Sequence, residues 1–178
     1  AAGSGMIAMT AGCSGGSSLG EERVPDIETT EPVSLANAVV DAWTAVVGPG
    51  TDSTLEHHLK DVHIEANPER FAQLLENLLS NAVKHGHAPV SVYAELLTDT
   101  DERIIGFAIE DDGPGISESD RTTVFESGYT TSDRDGTAGL GLGIIQTIAD
   151  AHGWDLSIAD SATAHSGARF EITDVALA

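Results

Sequence analysis

Apolar residues recur at helical spacing in three stretches of the chain, and polar residues fill the opposite faces. Ser34 precedes the first stretch and Asn67 the second, and both side chains can accept a free N–H at the start of a helix. Pro68 then suits the first helical position. The spacing predicts three helices, over about residues 34–46, 68–85 and 144–154.

Runs of β-branched and other apolar residues, bounded by turn residues, surround these helices. They predict six strands, the first two around a turn, over about residues 53–59, 61–66, 89–97, 103–112, 154–160 and 168–175. Ser117, with Asp120 three residues later, has the pattern of a short capped helix. The glycine-bearing segment 126–143 has little apolar periodicity, which predicts a long flexible connection. Together these elements indicate an α/β fold.

The first part of the chain has a different composition. Residues 1–20 are small, rich in Gly and Ser and nearly uncharged, and residues 21–32 are polar with two prolines. We interpret residues 1–31 as a linker, tag or disordered segment, and residues 32–178 as the ordered domain. The alternative for MIAMTAGC is a lipoprotein signal that would attach a lipid to Cys13.

Acidic residues far outnumber basic ones: the chain has 29 and 8, a formal net charge of −21. Such self-repulsion argues against binding to DNA, RNA or an anionic membrane by bulk attraction. Lys60 and Lys84 are the only lysines. This pattern predicts a halophilic surface kept hydrated in concentrated salt, with an ordinary acidic protein as the alternative.

The second helix has a packing face and a chemical face. Asn77, Asn81 and Lys84 follow each other at i, i+4 and i+7 and fall within a narrow arc, whereas the leucines fill another. Amide oxygens can complete the shell of a hydrated Mg²⁺, and a lysine beside them can neutralise phosphate. The pattern therefore suits a metal-bound nucleotide, and solvated positions of an amphipathic helix are the alternative.

Two glycine-bearing loops add a further pattern. In DDGPGI, Asp111 ends an apolar strand, while Gly113 and Gly115 let a ligand approach the backbone. A carboxylate there can accept a bond from the amino group of adenine, although Asp–Gly turns are also common in structural roles. GTAGLGLG, residues 136–143, opens the third helix, where free N–H groups can face phosphate. It matches neither a P-loop nor a Rossmann turn.

These three elements, in this order, resemble the N, G1 and G2 boxes of the GHKL superfamily. VFESGYTT, residues 124–131, resembles the F box of sensor histidine kinases. The resemblance spans about Pro32 to Val175. It implies a Bergerat-type two-layer α/β sandwich, in which helices cover one face of a mixed β-sheet and a mobile ATP lid lies at about residues 126–139.

The resemblance also implies the roles of individual residues, with ATP and Mg²⁺ as cofactors. Asn81 would bind Mg²⁺ with help from Asn77, Lys84 would contact phosphate, and these three would form the catalytic set. Asp111 would hold the adenine amine. The remaining nucleotide contacts would be His85, Gly113, Gly115, Ile116, Tyr129, Thr130, Thr131, Gly139, Leu140, Gly141 and Leu142.

The implied reaction is transfer of the ATP γ-phosphate to a protein histidine. That histidine belongs to an H box in a separate dimerisation domain, and nothing in this sequence matches an H box. The expected partners are that domain and a response regulator, with no direct contact to the membrane and a cytoplasmic location. The alternatives are a serine kinase of the anti-sigma type and a non-catalytic nucleotide sensor.

Two other features qualify the resemblance. Gly167-Ala168-Arg169 stands where many family members have threonines after the glycine, which puts a polar contact near adenine in doubt. His57, His58 and His63 have neither metal-binding spacing nor the H-box pattern, so we interpret them as exposed strand residues.

Overall fold

A mixed five-stranded sheet and three helices form the body of the computed structural model, which describes residues 27, 29–86, 88–125, 140–162 and 167–178, with the backbone alone at Leu140. In chain order the elements are β1 (Glu31–Ser34), α1 (Leu35–Val47), β2 (Thr54–His58), β3 (His63–Ala66), α2 (Pro68–His85), β4 (Ser91–Thr98), β5 (Ile104–Asp111), α3 (Leu140–His152), β6 (Asp155–Ala159) and β7 (Arg169–Thr173).

The large sheet has the strand order β2-β4-β5-β7-β6. β2 runs parallel to β4, and the other neighbours are antiparallel. α2 packs against both α1 and α3. The apolar faces of the helices share one core with alternate residues of β4, β5 and β7. The predicted two-layer α/β architecture with a mixed sheet is confirmed.

Phe71 of α2 lies at the centre of this core and is fully buried. Its ring meets Phe107 of β5 edge to face at 5.9 Å and Trp154 at 5.7 Å. Asn67 caps the helix by accepting the N–H of Arg70 at 3.0 Å, and Pro68 occupies its first turn. α2 therefore spans residues 68–85, as its cap and periodicity predict.

A second, smaller sheet contains a strand that the sequence did not reveal. β1 pairs antiparallel with β3, although we interpreted its first residue, Glu31, as part of a linker. The strand is short and polar, so only its long-range pairing identifies it. The predicted neighbours β2 and β3 also separate here, because β2 joins the large sheet instead. Residues 1–26 lie outside the described part, and their interpretation stays a prediction.

The predicted capped helix after β5 is wrong. Residues 118–125 form successive turns, with the N–H of Asp120 donating to the carbonyl of Ser117 at 2.9 Å. The Ser117 hydroxyl donates to the Asp120 carboxylate at 2.7 Å. Because the Ser117 hydroxyl bonds to the Asp120 side chain, this local contact competes with the capping of a regular helix.

Among the described residues, no helix has both the length and the hydropathy to cross a lipid bilayer.

His152 connects the end of α3 to the start of α2. Its Nε2 accepts the backbone N–H of Asn67 at 3.0 Å, and its Nδ1 lies 2.9 Å from the carbonyl of Ile148. These partners require the neutral ring, with the proton on Nδ1 donated to Ile148. The ring also stacks on Trp154 at 4.1 Å. Burial lowers the pKa of His152 from its ordinary value, because it disfavours the charged ring.

Because His152 binds a proton less tightly when folded, its contribution to stability is complete above its ordinary pKa of 6.5 and declines below it. We expect His152→Gln, whose amide can still accept the Asn67 N–H, to lose this pH dependence. The difference between pH 8 and pH 5.5 should be smaller than in the unmodified chain by about 1 kcal/mol, or roughly 2–4 °C in Tm. Thermal unfolding across this range measures it, with exposed His57→Gln as the control; identical pH profiles for His152→Gln and the unmodified chain would contradict the prediction.

Candidate functional site

The two asparagines of α2 face the first turn of α3. A Cβ atom added at Gly141 would lie 3.3 Å from Oδ1 of Asn81 and 3.5 Å from Oδ1 of Asn77. Glycine therefore lets the backbone of α3 approach both amides. The structure thus brings together the motif of α2 and the glycine motif that opens α3, which are about 60 residues apart in sequence.

The two amides differ in their hydrogen bonding. Nδ2 of Asn77 donates to the carbonyl of Gln73 at 2.7 Å, which fixes the amide with Oδ1 towards Gly141. Nδ2 of Asn81 is buried and has no partner among the groups that the structure describes. Such an unpaired buried group costs about 1–3 kcal/mol and requires an explanation. A ligand between α2 and α3 would supply the missing partner.

The end of α2 approaches the loop after β5. A Cβ atom at Gly113 would lie 3.2 Å from the Cα of Gly86 and 3.5 Å from the carbonyl oxygen of His85. Gly115 has a φ of 74°, in the left-handed region that favours glycine. Close backbone packing therefore requires glycine at position 113, and the backbone conformation favours it at position 115. The side chains of Lys84 and His85 are exposed at this end of the helix.

Asp111 is buried at the end of β5. Its Oδ1 accepts the N–H of Gly113 at 2.8 Å and the N–H of Ala168 at 3.2 Å. Its own N–H donates to the carbonyl of Ala168 at 3.0 Å. Oδ2 receives no hydrogen bond from the residues described here. One carboxylate oxygen is thus used to orient the group, and the second is left for a donor such as an amine.

Burial raises the pKa of Asp111 above its ordinary value. The hydrogen bonds from Gly113 and Ala168 oppose this shift, while the charges of Asp112 and Glu110 add to it. The ionised form is therefore held at a cost to the folded domain. A perturbed carboxyl of this kind is typical of binding and catalytic sites.

Gly167 is a further site residue, whose role was missed in the sequence. A Cβ atom there would lie 1.5 Å from the carbonyl oxygen of Asp111, so glycine is required where these two backbone segments approach each other. In the sequence this position is notable only because the threonines that follow the glycine in many family members are absent. In the structure the backbone of Ala168, not a side chain at that position, contacts Asp111. The only signal in the sequence was a glycine directly before a strand.

The remaining predicted contacts are only partly described. Tyr129, Thr130, Thr131 and Gly139 lie outside the described residues, as does the side chain of Leu140. Ile116 and Leu142 are half-buried and pack against the core beside the site.

The three strand histidines are exposed, as expected. His58 lies 3.7 Å from Glu56 and His63 lies 3.8 Å from Asp61. No group of three or more His, Cys, Asp or Glu in the part of the chain described here has metal-binding geometry.

Comparison with known proteins identifies the class to which this domain belongs. Residues 66–176 match the family of histidine kinase-, DNA gyrase B- and HSP90-like ATPases. The chain belongs to this family. The prediction of an ATP-binding domain of the sensor histidine kinase type is confirmed.

Within this ATPase family, the chain is similar to individual sensor histidine kinases. The sensor histidine kinase YkoH of Bacillus subtilis is 32% identical over 137 residues, which cover 75% of this chain and 29% of YkoH. The sensor histidine kinase CpxA of Escherichia coli is 37% identical over 93 residues, 49% of this chain and 20% of CpxA. The chain therefore spans less than a third of either relative.

Solved structures agree with the fold. The mycobacterial sensor histidine kinase MprB has a TM-score of 0.68 at 24% identity, covering 84% of this chain and 97% of the MprB chain. Full-length ShkA in complex with AMPPNP has a TM-score of 0.67 at 25% identity, covering 86% of this chain and 33% of ShkA.

We expect Asp111→Asn to raise the Tm of the ligand-free domain at neutral pH while weakening ATP binding. Because the folded carboxyl holds its proton more tightly than the unfolded one, the stability it supplies declines as the pH rises above 3.8, and the uncharged amide avoids this loss. The amide would present a donor to the adenine amine, so affinity should fall about 10- to 100-fold.

Calorimetric titration with ATP and GTP, together with thermal unfolding at pH 7, measures both effects. Asp52→Asn, at an exposed acid, makes the same replacement and serves as the matched control. Equal affinities of the unmodified domain for ATP and GTP would contradict the assignment of Asp111 to adenine.

Proposed function

We propose that this domain binds MgATP and transfers its γ-phosphate to a histidine on a separate dimerisation and phosphoacceptor domain. The observation that carries this proposal is the buried Nδ2 of Asn81 beside Gly141, which has no hydrogen-bond partner among the described residues. In a member of this ATPase family, that arrangement supports a phosphate and metal site between α2 and α3.

The residues present fit a magnesium nucleotide. Mg²⁺ prefers oxygen ligands and keeps several waters, so the oxygens of Asn81 and Asn77 suffice as protein ligands. When bound, Mg²⁺ neutralises charge on the phosphate oxygens. Lys84 is exposed at the end of the same helix and is available to phosphate. The first N–H groups of α3 have no partners within their helix and can donate to phosphate oxygens.

Adenine would bind at the other end of the site. Oδ2 of Asp111 would accept the exocyclic amine, while the backbone of Ala168 and Gly113 holds Oδ1 in place. The buried carboxylate would face the carbonyl of guanine instead, where neither group has a proton to donate. This geometry favours ATP over GTP.

Phosphoryl transfer needs positioning and charge neutralisation more than a covalent group from the protein. The domain supplies those two functions, and the acceptor histidine would come from the dimerisation domain of a parent kinase. A response regulator would then receive the phosphate. The negative net charge favours neither nucleic acid nor an anionic membrane as a partner, and the supply of ATP favours the cytoplasm.

We expect the chain alone to bind ATP without labelling itself from γ-labelled ATP. Adding the dimerisation region of its parent should produce a label that is acid-labile and alkali-stable. Asn81→Ala should reduce the rate of transfer by roughly 100-fold, because it removes both an oxygen for Mg²⁺ and a donor for phosphate. Gly141→Val should also reduce transfer, since its side chain would enter the space facing both amides.

Asn37→Ala, at an exposed asparagine of α1, is the matched control and should label at the unmodified rate. If the isolated chain labels one of its own histidines as fast as the mixture does, the division of labour is wrong. An acid-stable product would instead indicate a serine kinase.

We propose also that the acidic surface adapts the domain to concentrated salt. With 29 acidic residues and 8 basic ones, most carboxylates have no cation to pair with. At low ionic strength the screening length grows to about 30 Å, so these charges repel one another across the domain.

The Tm should therefore rise by many degrees between about 0.01 M and 1 M KCl, as the screening length falls from about 30 Å to about 3 Å. Thermal unfolding followed by circular dichroism measures this. Sucrose at the same osmolality is the control, because it raises stability without screening charge. A Tm that does not depend on KCl would end the halophilic interpretation.

A further inference from the structure

Glu110 and Asp111 are consecutive residues of β5 and point to opposite faces of the sheet. Asp111 shares its face with Phe107 and Ile109 of the hydrophobic core. Glu110 lies on the other face, yet it is only 1% exposed. A buried carboxylate requires strong compensating interactions, and the proposed reaction does not use this one.

Described residues from two parts of the chain donate hydrogen bonds to the carboxylate of Glu110. Nη1 of Arg169, at the start of β7, donates to its Oε2 at 3.1 Å. The N–H of Ala162 donates to the same oxygen at 3.1 Å, and the hydroxyl of Ser161 donates to Oε1. Ser161 and Ala162 follow β6 and Arg169 begins β7, so Glu110 contacts residues on either side of the connection between these two strands.

Arg169 is shared among three carboxylates. It pairs with Glu95 at 2.7 Å and Glu171 at 2.8 Å as well as with Glu110. Burial alone would lower the pKa of this guanidinium, but its hydrogen bonds to Glu171, Glu95 and Glu110 raise it above the ordinary value. Arg169 would therefore remain charged and paired without Glu110, whereas Ala162 would lose the acceptor that Glu110 provides.

Gly167 and Ala168, which directly precede Arg169, pack against Asp111. Gly167 crosses the carbonyl of Asp111, and Ala168 exchanges two hydrogen bonds with Asp111 directly before Arg169. Arg169, which Glu110 contacts from the opposite face of the sheet, is thus the next residue along the chain from the backbone that orients Asp111.

Another contact to the connection is weaker. Arg121 reaches Asp160 at 2.5 Å, but the Asp160 side chain is 91% exposed. Exposed pairs contribute little to stability, because water and salt screen them. Glu110 and Arg169 have side chains that are 2% and 7% exposed, where directional, charge-assisted hydrogen bonds fix position more firmly.

We propose that Glu110 is a positioning residue for adenine recognition: it holds Ser161, Ala162 and Arg169 so that the backbone of Ala168 stays on Asp111. This proposal rests on the proposed function, since it assumes that Asp111 accepts the adenine amine. Glu110 itself touches neither nucleotide nor metal.

The test compares Glu110→Met with Glu95→Met. Both remove a carboxylate from Arg169 with the same replacement, but only the first removes the acceptor that Glu110 offers to Ser161 and Ala162. We expect Glu110→Met to weaken ADP binding about tenfold, to reduce the preference for ADP over GDP, and to accelerate hydrogen exchange at the Ala168 amide. Glu95→Met should change none of these. Calorimetry and NMR exchange measure them.

Two further variants separate positioning from general destabilisation. Glu110→Gln keeps an acceptor for Arg169 and Ala162 and can donate to the Ser161 hydroxyl, so it should restore the ADP preference. Ser161→Ala keeps the buried Arg169 pair and should give a smaller loss, about threefold, which tests the proposal even if Glu110→Met does not fold.

Affinities and exchange rates unchanged in Glu110→Met, or reduced equally in Glu95→Met, would overturn the proposal. If Glu110→Met does not fold, unchanged ADP binding in Ser161→Ala would overturn it. If the unmodified domain does not prefer ADP to GDP, the adenine site of the proposed function fails, and the exchange rate of Ala168 still decides whether Glu110 positions this backbone.

Discussion

The burial of one face of α2 is the interaction on which the rest of the molecule depends. Phe71, Leu74, Leu75 and Leu78 are almost completely removed from solvent. Removing a phenylalanine from such a position costs about 3–5 kcal/mol, a large share of the roughly 5–15 kcal/mol that stabilises a domain. The rotation of α2 about its axis is therefore fixed, and with it the position of Asn77 and Asn81 opposite α3.

The end of β5 shows the cost that the site imposes on stability. Two adjacent residues, Glu110 and Asp111, are buried acids, and burial raises the pKa of Asp111. Glu110 has Arg169 as a counterion, whereas the side chain of Asp111 receives only backbone N–H groups from the described residues. The carboxylate that is less well compensated is the one assigned to a ligand. A domain selected for stability alone would have little reason to keep an acid there.

The sequence predicts features that depend on local contacts. The cap at Asn67 and the apolar periodicity define the limits of α2, and Gly115 has a local reason in its left-handed backbone conformation. Features that depend on distant contacts were missed. β1 exists through its pairing with β3, and Gly167 is required by the carbonyl of Asp111, 56 positions earlier in the chain. The error at Ser117 had a local cause, since its hydroxyl bonds to Asp120.

A domain with a net charge of −21 that binds an anionic nucleotide poses an electrostatic question. The answer lies in the range of the forces. In salt above about 0.15 M, charges more than about 8 Å apart are largely screened, so the surface carboxylates act weakly on a bound phosphate. Groups in direct contact are screened much less. Lys84, one of the chain's two lysines, is exposed at the end of α2, and both a lysine and the first turn of a helix such as α3 favour negative charge nearby. Short-range contacts therefore determine the affinity for the nucleotide. Concentrated salt favours binding further, because it removes the long-range repulsion between the surface carboxylates and the phosphates.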